Sequence, residues 1–199
     1  MSETALIPCA PFSGLAISVG AGRGVIATDH DGLGLATVAA GKGQRPALSQ
    51  RIRERFGIVL PDGPLRRAAD RVAFAGTGPD TWLATQEMGG NEFAASLQEE
   101  IGSLAAVSDQ SDGYAVLRLT GPMLRNALAK IVPIDLHSRA FKPGDVASTV
   151  ASHMGVTLWR LPDGPDGSTV VEIAVFRSLA GSFWHALSLS AAEFGLIAT

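Results

Sequence analysis

The chain has 199 residues, 46% hydrophobic and 18% charged, with 16 basic against 19 acidic residues and a net charge of −3. This length and composition give one large domain or two small, closely packed ones around a real core, and they exclude a predominantly disordered chain. No basic stripe interleaved with aromatics is present, so nucleic acid is not an expected partner. No run of about 18 apolar residues occurs, so no membrane-spanning helix is expected.

Cys9 is the only cysteine, which excludes an intrachain disulfide and a multi-cysteine metal site. The N-terminus lacks a basic stretch followed by an apolar one, so no secretory signal is expected and the cytoplasm is the default location. The low charged fraction is expected of a chain whose apolar surface is partly covered by another.

Residues 1–13, with Pro8, Cys9, Pro11 and Ser13, read as an N-terminal arm, and 14–199 as a single α+β domain. Short β-type runs follow at Leu15 to Val19, Val25 to Thr28 and Leu35 to Ala39, separated by glycine turns. Pro46 opens a helix in which Leu48, Ile52 and Phe56 recur on one face, and Gly57 is placed to cap its C-terminus. Asp62-Gly63-Pro64 is a turn, and Arg71 to Ala75 and Thr81 to Thr85 are strands. Asn91 is placed to cap a helix burying Phe93, Leu97, Ile101 and Leu104.

The stretch 107–137 organises the rest. Tyr114 to Thr120 alternates, with Ala115, Leu117 and Leu119 on one face and Tyr114, Val116, Arg118 and Thr120 on the other. Gly121 ends that strand and Pro122 fits the first position of a helix burying Leu124, Ala127, Leu128 and Ile131. Pro133 stops it, and Asp135-Leu136-His137 emerges beyond. Strands are expected over Val146 to Ser152, Val156 to Leu161 and Thr169 to Phe176, with residues 162–167 as a hairpin loop. Ser178 is placed to cap a last helix burying Leu179, Phe183, Ala186, Leu187 and Phe194. The order of elements predicts an α+β fold, mostly antiparallel sheet with helices packed on one face.

Most candidate chemistry reduces to turns. Residues 18–25 lack the third glycine and the following helix of a dinucleotide fingerprint. Gly41-Lys42-Gly43 lacks the spacing and the hydroxyl residue of a phosphate loop. Asp29-His30-Asp31-Gly32 has too few oxygen ligands for calcium and reads as a solvated turn. The histidines His30, His137, His153 and His185 have no metal-binding spacing. Among them His137, two residues after Asp135 at an element end, draws attention, with a hydrogen-bonded or interface role and a catalytic one both open. No G-x-S-x-G elbow exists, and Cys9 has no histidine near it in sequence. Arg118 and Arg177 interrupt apolar runs. Each is either solvent-facing or paired, with Asp109, Asp135 or Glu172 as partners.

Several short stretches are familiar together. Gly57-Ile58-Val59-Leu60-Pro61, Gly78-Pro79-Asp80-Thr81-Trp82-Leu83, Asp109 with Ser111, the Arg118-Leu119-Thr120-Gly121 strand end, Asp135-Leu136-His137, Phe141 with Gly144, and Arg177-Ser178 stand in order. Over residues 33–195 the chain resembles the gamma subunit of heterotetrameric sarcosine oxidase. Thr81 stands where that family usually carries an acidic residue, and the segment before residue 33 matches poorly.

The resemblance implies a fold like the folate-binding domains of glycine-cleavage aminomethyltransferases. It also implies a non-catalytic structural subunit, partnered by alpha, beta and delta subunits. That complex oxidatively demethylates sarcosine to glycine, with hydrogen peroxide and 5,10-methylenetetrahydrofolate as further products. No catalytic, cofactor-binding or metal residue is then expected in this chain. FAD, FMN, NAD and zinc belong to the partners. The alternative is a stand-alone folate-binding or aminomethyltransferase-like protein, for which Asp109 and Asp135 are the carboxylates to test.

Overall fold

Period-two alternation dominates the chain and folds it into two sheets. The computed structural model describes residues 9–13 and 18–199. In chain order the strands and helices are β1 (Ser18–Val19), β2 (Val25–Asp29), β3 (Gly34–Ala40), α1 (Arg45–Phe56), β4 (Arg66–Ala69), β5 (Val72–Gly78) and β6 (Thr81–Gln86). Then come α2 (Phe93–Ile101), β7 (Ala105–Asp109), β8 (Tyr114–Thr120), α3 (Leu124–Leu128), β9 (Val146–Ala151), β10 (Met154–Arg160), β11 (Val171–Phe176), α4 (Ala180–Ala191) and β12 (Leu196–Ala198). Among the described residues one sheet has seven strands in the order β1-β12-β2-β8-β11-β10-β9, and the other five, β4-β5-β6-β3-β7. Neighbours pair antiparallel, except β12, which runs parallel to β2.

Each sheet carries helices on one face and meets the other sheet with its second face. On the five-stranded sheet, Ala36, Val38, Phe74 and Trp82 pack against Leu48 and Ile52 of α1 and Phe93 and Leu97 of α2. On the seven-stranded sheet, Ala115, Leu117, Leu119 and Ile173 pack against Leu124 and Leu128 of α3 and Phe183 and Leu187 of α4. Between the sheets lie Leu35, Leu83, Val116, Trp159 and Ala174. The residues alternating with the helix-facing ones therefore have a second interior to enter. This is the mostly antiparallel α+β fold that the order of elements predicts.

Local signals act where the sequence puts them. Gly57 closes α1 in the left-handed region, φ 68°, with its N–H bonded to the Arg53 carbonyl. Gly121 has φ 116°, and a Cβ there would stand 2.4 Å from the Gly24 carbonyl oxygen, so the end of β8 requires glycine.

Some expectations shift. Gly121-Pro122 form a turn, and α3 starts at Leu124 and is short. Asn91 does not cap α2. It lies in a 3-10 turn and its side chain donates to Asp112 (3.1 Å). Ser178 likewise sits in a 3-10 turn ahead of α4 and caps nothing. Strands β4, β7 and β12 were not expected: β4 is arginine-rich and lacks alternation, β7 is a short run of small residues that pairs with β3, and β12 is three residues long and depends on β2. Of the N-terminal arm, residues 1–8 lie outside the described residues, as do 15–17 of the first expected strand. Over residues 9–13 the chain turns, and Phe12 is buried against Trp184, ring centroids 6.3 Å apart.

Candidate functional site

The parity of the central strands aims charged side chains into the space between the sheets. In β11, Val171, Ile173 and Val175 face the helices, so Glu172 points inward; in β8 the same parity turns Arg118 inward. The register sets Arg118 directly opposite Glu172, and Glu172 opposite Trp159 of β10. These are cross-strand neighbours, the pairs that interact most strongly within a sheet.

Glu172 is 2% exposed and fully engaged. Its Oε1 accepts from Arg118 Nε (2.8 Å) and lies 2.6 Å from Arg118 Nη2, while Oε2 accepts from the Trp159 indole N–H (2.6 Å). His30, one residue beyond β2, joins the same oxygen: its Nδ1 lies 3.0 Å from Glu172 Oε1, close but poorly aligned, an ion-pair contact more than a linear hydrogen bond. Its Nε2 lies 2.7 Å from Oε2 of Glu87, one residue beyond β6 in the other sheet. Arg118 Nη2 lies 3.5 Å from Glu87 Oε1. Two carboxylates, a guanidinium and an imidazole thus form one closed cluster, with carboxylates contributed by both sheets.

The electrostatics follow from that arrangement. The Glu172 carboxylate beside Nδ1, with help from Glu87 and against burial, raises the His30 pKa above its ordinary 6.5. Burial pushes Glu172 up, but His30 and Arg118 outweigh it and hold its carboxyl at about 2. Half-buried Arg66 of β4 feels both carboxylates, while burial draws its guanidinium down. Asp29 is raised by burial, and its Oδ1 is buried without a hydrogen-bond partner.

This corrects the reading of residues 29–32 as a solvated turn. His30, not His137, is the histidine with a charged environment. Arg118 takes Glu172 from its three possible partners. Arg177 takes none of them, and its guanidinium donates to the Cys9 carbonyl.

Asp109 and Asp135 sit in separate layers, at the end of β7 and in the loop after α3. Each is exposed and holds its own turn: Asp109 accepts from the Ser111 N–H (2.9 Å) and Asp135 from the His137 N–H (2.8 Å). Ser111 in turn accepts from the Leu35 N–H and donates to the Gly90 carbonyl. His137, His153 and His185 are exposed. The inter-sheet carboxylates point at cations between them and do not converge on an open centre. Among the described residues no group of three or more His, Cys, Asp or Glu could hold a metal ion, and no helix is long and apolar enough to cross a membrane.

Sequence reasoning missed Trp159, Glu87 and His30. One signal was available: Arg118 and Glu172 are single charges, each central in an apolar strand, and antiparallel pairing sets such residues opposite one another.

A cleft of about 560 Å³ opens beside the five-stranded sheet, lined by Pro61, Gly76, Asp80 and Trp82 among others. Arg45 lies over the Trp82 ring (5.7 Å) and pairs with Asp62 (2.9 Å) and Asp80 (3.1 Å), and the Trp82 indole donates to the Pro61 carbonyl (3.0 Å). Its charged and aromatic groups are therefore already engaged with one another.

Comparison with known proteins places this geometry. The model of the sarcosine oxidase, gamma subunit family matches residues 40–193. The sarcosine oxidase subunit gamma of Arthrobacter sp is 37% identical over 110 residues, 53% of each chain. That of Corynebacterium sp. (strain P-1) is 34% identical over 114 residues, 55% of each. The chain thus covers about half the length of these two relatives. A chain in the structure of heterotetrameric sarcosine oxidase from Corynebacterium sp. U-96 superposes with a TM-score of 0.79 at 26% identity, covering 94% of this chain and 96% of that one. The glycine cleavage system aminomethyltransferase T from Bartonella henselae is similar in fold, with a TM-score of 0.63 at 13% identity over 89% of this chain and 48% of that one.

Proposed function

The chain belongs to the sarcosine oxidase, gamma subunit family, and from that premise we propose that it is a non-catalytic structural subunit of a heterotetrameric sarcosine oxidase. In this reading its partners are alpha, beta and delta subunits in the cytoplasm. The complex oxidatively demethylates sarcosine to glycine, releases hydrogen peroxide and forms 5,10-methylenetetrahydrofolate. FAD, FMN, NAD and zinc reside in the partners, and this chain supplies architecture and contact surface.

The observation that carries the reading is the engagement of its charged side chains with one another. Glu172 accepts from Arg118 and Trp159 and contacts His30, and each carboxylate singled out in the sequence closes its own turn. A group serving as acid, base or pterin anchor needs a lone pair or proton directed at open space. The alternative, a stand-alone folate-binding or aminomethyltransferase-like protein, rests on the fold alone.

Affinity purification of the tagged chain from its source cells, with mass spectrometry and a visible spectrum, tests the proposal. A yellow eluate with three stoichiometric partner chains is expected. A colourless lone chain that binds tetrahydrofolate, with affinity lost in Asp109→Ala or Asp135→Ala, overturns it.

A further inference from the structure

We propose that His30 is a pH-sensitive rivet between the two sheets: as an imidazolium it ties Glu87 of the five-stranded sheet to Glu172 of the seven-stranded sheet, and its deprotonation loosens that seam. Geometry carries the argument. Both ring nitrogens lie within 3.0 Å of a carboxylate oxygen, 2.7 Å at Glu87 and 3.0 Å at Glu172. The Nε2 contact is a hydrogen bond and the Nδ1 contact an ionic one; a carboxylate attracts an N–H and repels a lone pair, so both contacts are favourable together only when both nitrogens are protonated. Neutral, the ring can serve one carboxylate and turns a lone pair toward the other.

The segment is held so that the ring cannot easily swing away. The His30 N–H donates to the Val116 carbonyl (3.0 Å), and Glu87 is clamped by two bonds to Arg71, from its own N–H to the Arg71 carbonyl (2.9 Å) and from the Arg71 guanidinium to the Glu87 carbonyl (2.6 Å). The ring is 14% exposed, so water replaces a lost partner poorly.

The charged groups around it come from every neighbouring element. Glu172 faces it from β11, Arg118 from β8, Glu87 from the end of β6 and Arg66 from β4, with Asp29 and Asp31 on its own segment. Arg118 cannot replace the imidazolium. It already spends Nε and Nη2 on Glu172, and it reaches Glu87 only at 3.5 Å. Deprotonation therefore leaves the cluster one positive charge short at the point where the sheets meet.

The sign follows from linkage. A histidine whose folded pKa is raised contributes stability that is fully present below its unfolded value of 6.5 and is lost as pH rises through the folded value. The test compares thermal unfolding of the full-length wild type and His30→Gln across pH, with the Trp159 indole N–H followed by NMR as a reporter of the seam, since it donates to Glu172. In the wild type, stability falls as pH rises above 6.5 and the protection of the indole N–H, relative to its base-catalysed intrinsic exchange, falls with it, whereas His30→Gln is less stable at low pH and lacks this alkaline limb. Parallel pH profiles in the two proteins overturn the proposal. If His30→Gln does not fold, the wild-type ring decides alone: titration above 6.5 with both nitrogens protonated supports the rivet, and titration at or below that value overturns it.

Discussion

Arg45 and Arg118 each face two carboxylates and are about equally exposed, 36% and 40%. Their partners differ. Asp62 and Asp80 beside Arg45 are 92% and 54% exposed, while Glu172 beside Arg118 is 2% exposed. The contrast teaches that the consequence of an ion pair is set by the less exposed partner. Water takes over when Arg45 is removed, but it replaces Arg118 poorly at the buried Glu172 carboxylate, which is left with His30 and Trp159 alone.

Breaking that contrast starts with Arg118→Ala, which takes from the buried Glu172 carboxylate its one permanent cation and leaves it to His30 and Trp159. The expected loss is about 3–5 kcal/mol in denaturant unfolding, and a loss no larger than that of an exposed pair contradicts the account. Next comes the acid limb. Glu172 is held down at about 2, so its contribution is present above 4.5 and is lost as pH falls toward 2. Calorimetry of Glu172→Gln across this range should give a flatter acid limb than the wild type. Trp159→Phe removes one charge-assisted hydrogen bond to Glu172 and should cost about 1.5–3 kcal/mol, since hydrogen bonds to charged groups fall in that range. Smallest is Arg45→Ala, whose unfolding midpoint should match that of the wild type within error.

The same contrast explains what the sequence could reveal. Tyr114 to Thr120 was legible because alternation over seven residues fixes both strand and face, and β8 has those bounds. The α1 helix was legible because Pro46, the Leu48–Ile52–Phe56 spacing and Gly57 agree. By contrast β4 is an edge strand of Arg66, Arg67, Ala68 and Ala69 whose strand state comes from pairing with β5, not from its own pattern. The candidate site was legible in half. Arg118 and Glu172 stand out as lone charges in apolar strands, while His30 and Glu87 lie in turns, and their significance arises only when the two sheets meet. No local pattern encodes that meeting.

A further device is visible only in the fold. Among the described residues the outer edge of β7 has no strand neighbour, and Gln98 of α2 covers it, accepting from the Val107 N–H (3.1 Å) and donating to the Ala105 carbonyl (3.3 Å). An amide side chain thereby blunts an edge that could otherwise recruit another strand. Polar groups here close the chain's own architecture, as they do between the sheets.

The most direct test of the central claim, that the charged residues of this chain serve architecture rather than chemistry, is the turnover of the proposed oxidase complex purified with Glu172→Gln, normalised to the flavin that the proposal assigns to its partners. The account predicts a lower yield of assembled complex with unchanged turnover per flavin. Full assembly with reduced turnover per flavin would contradict it and assign the inter-sheet cluster a part in the reaction.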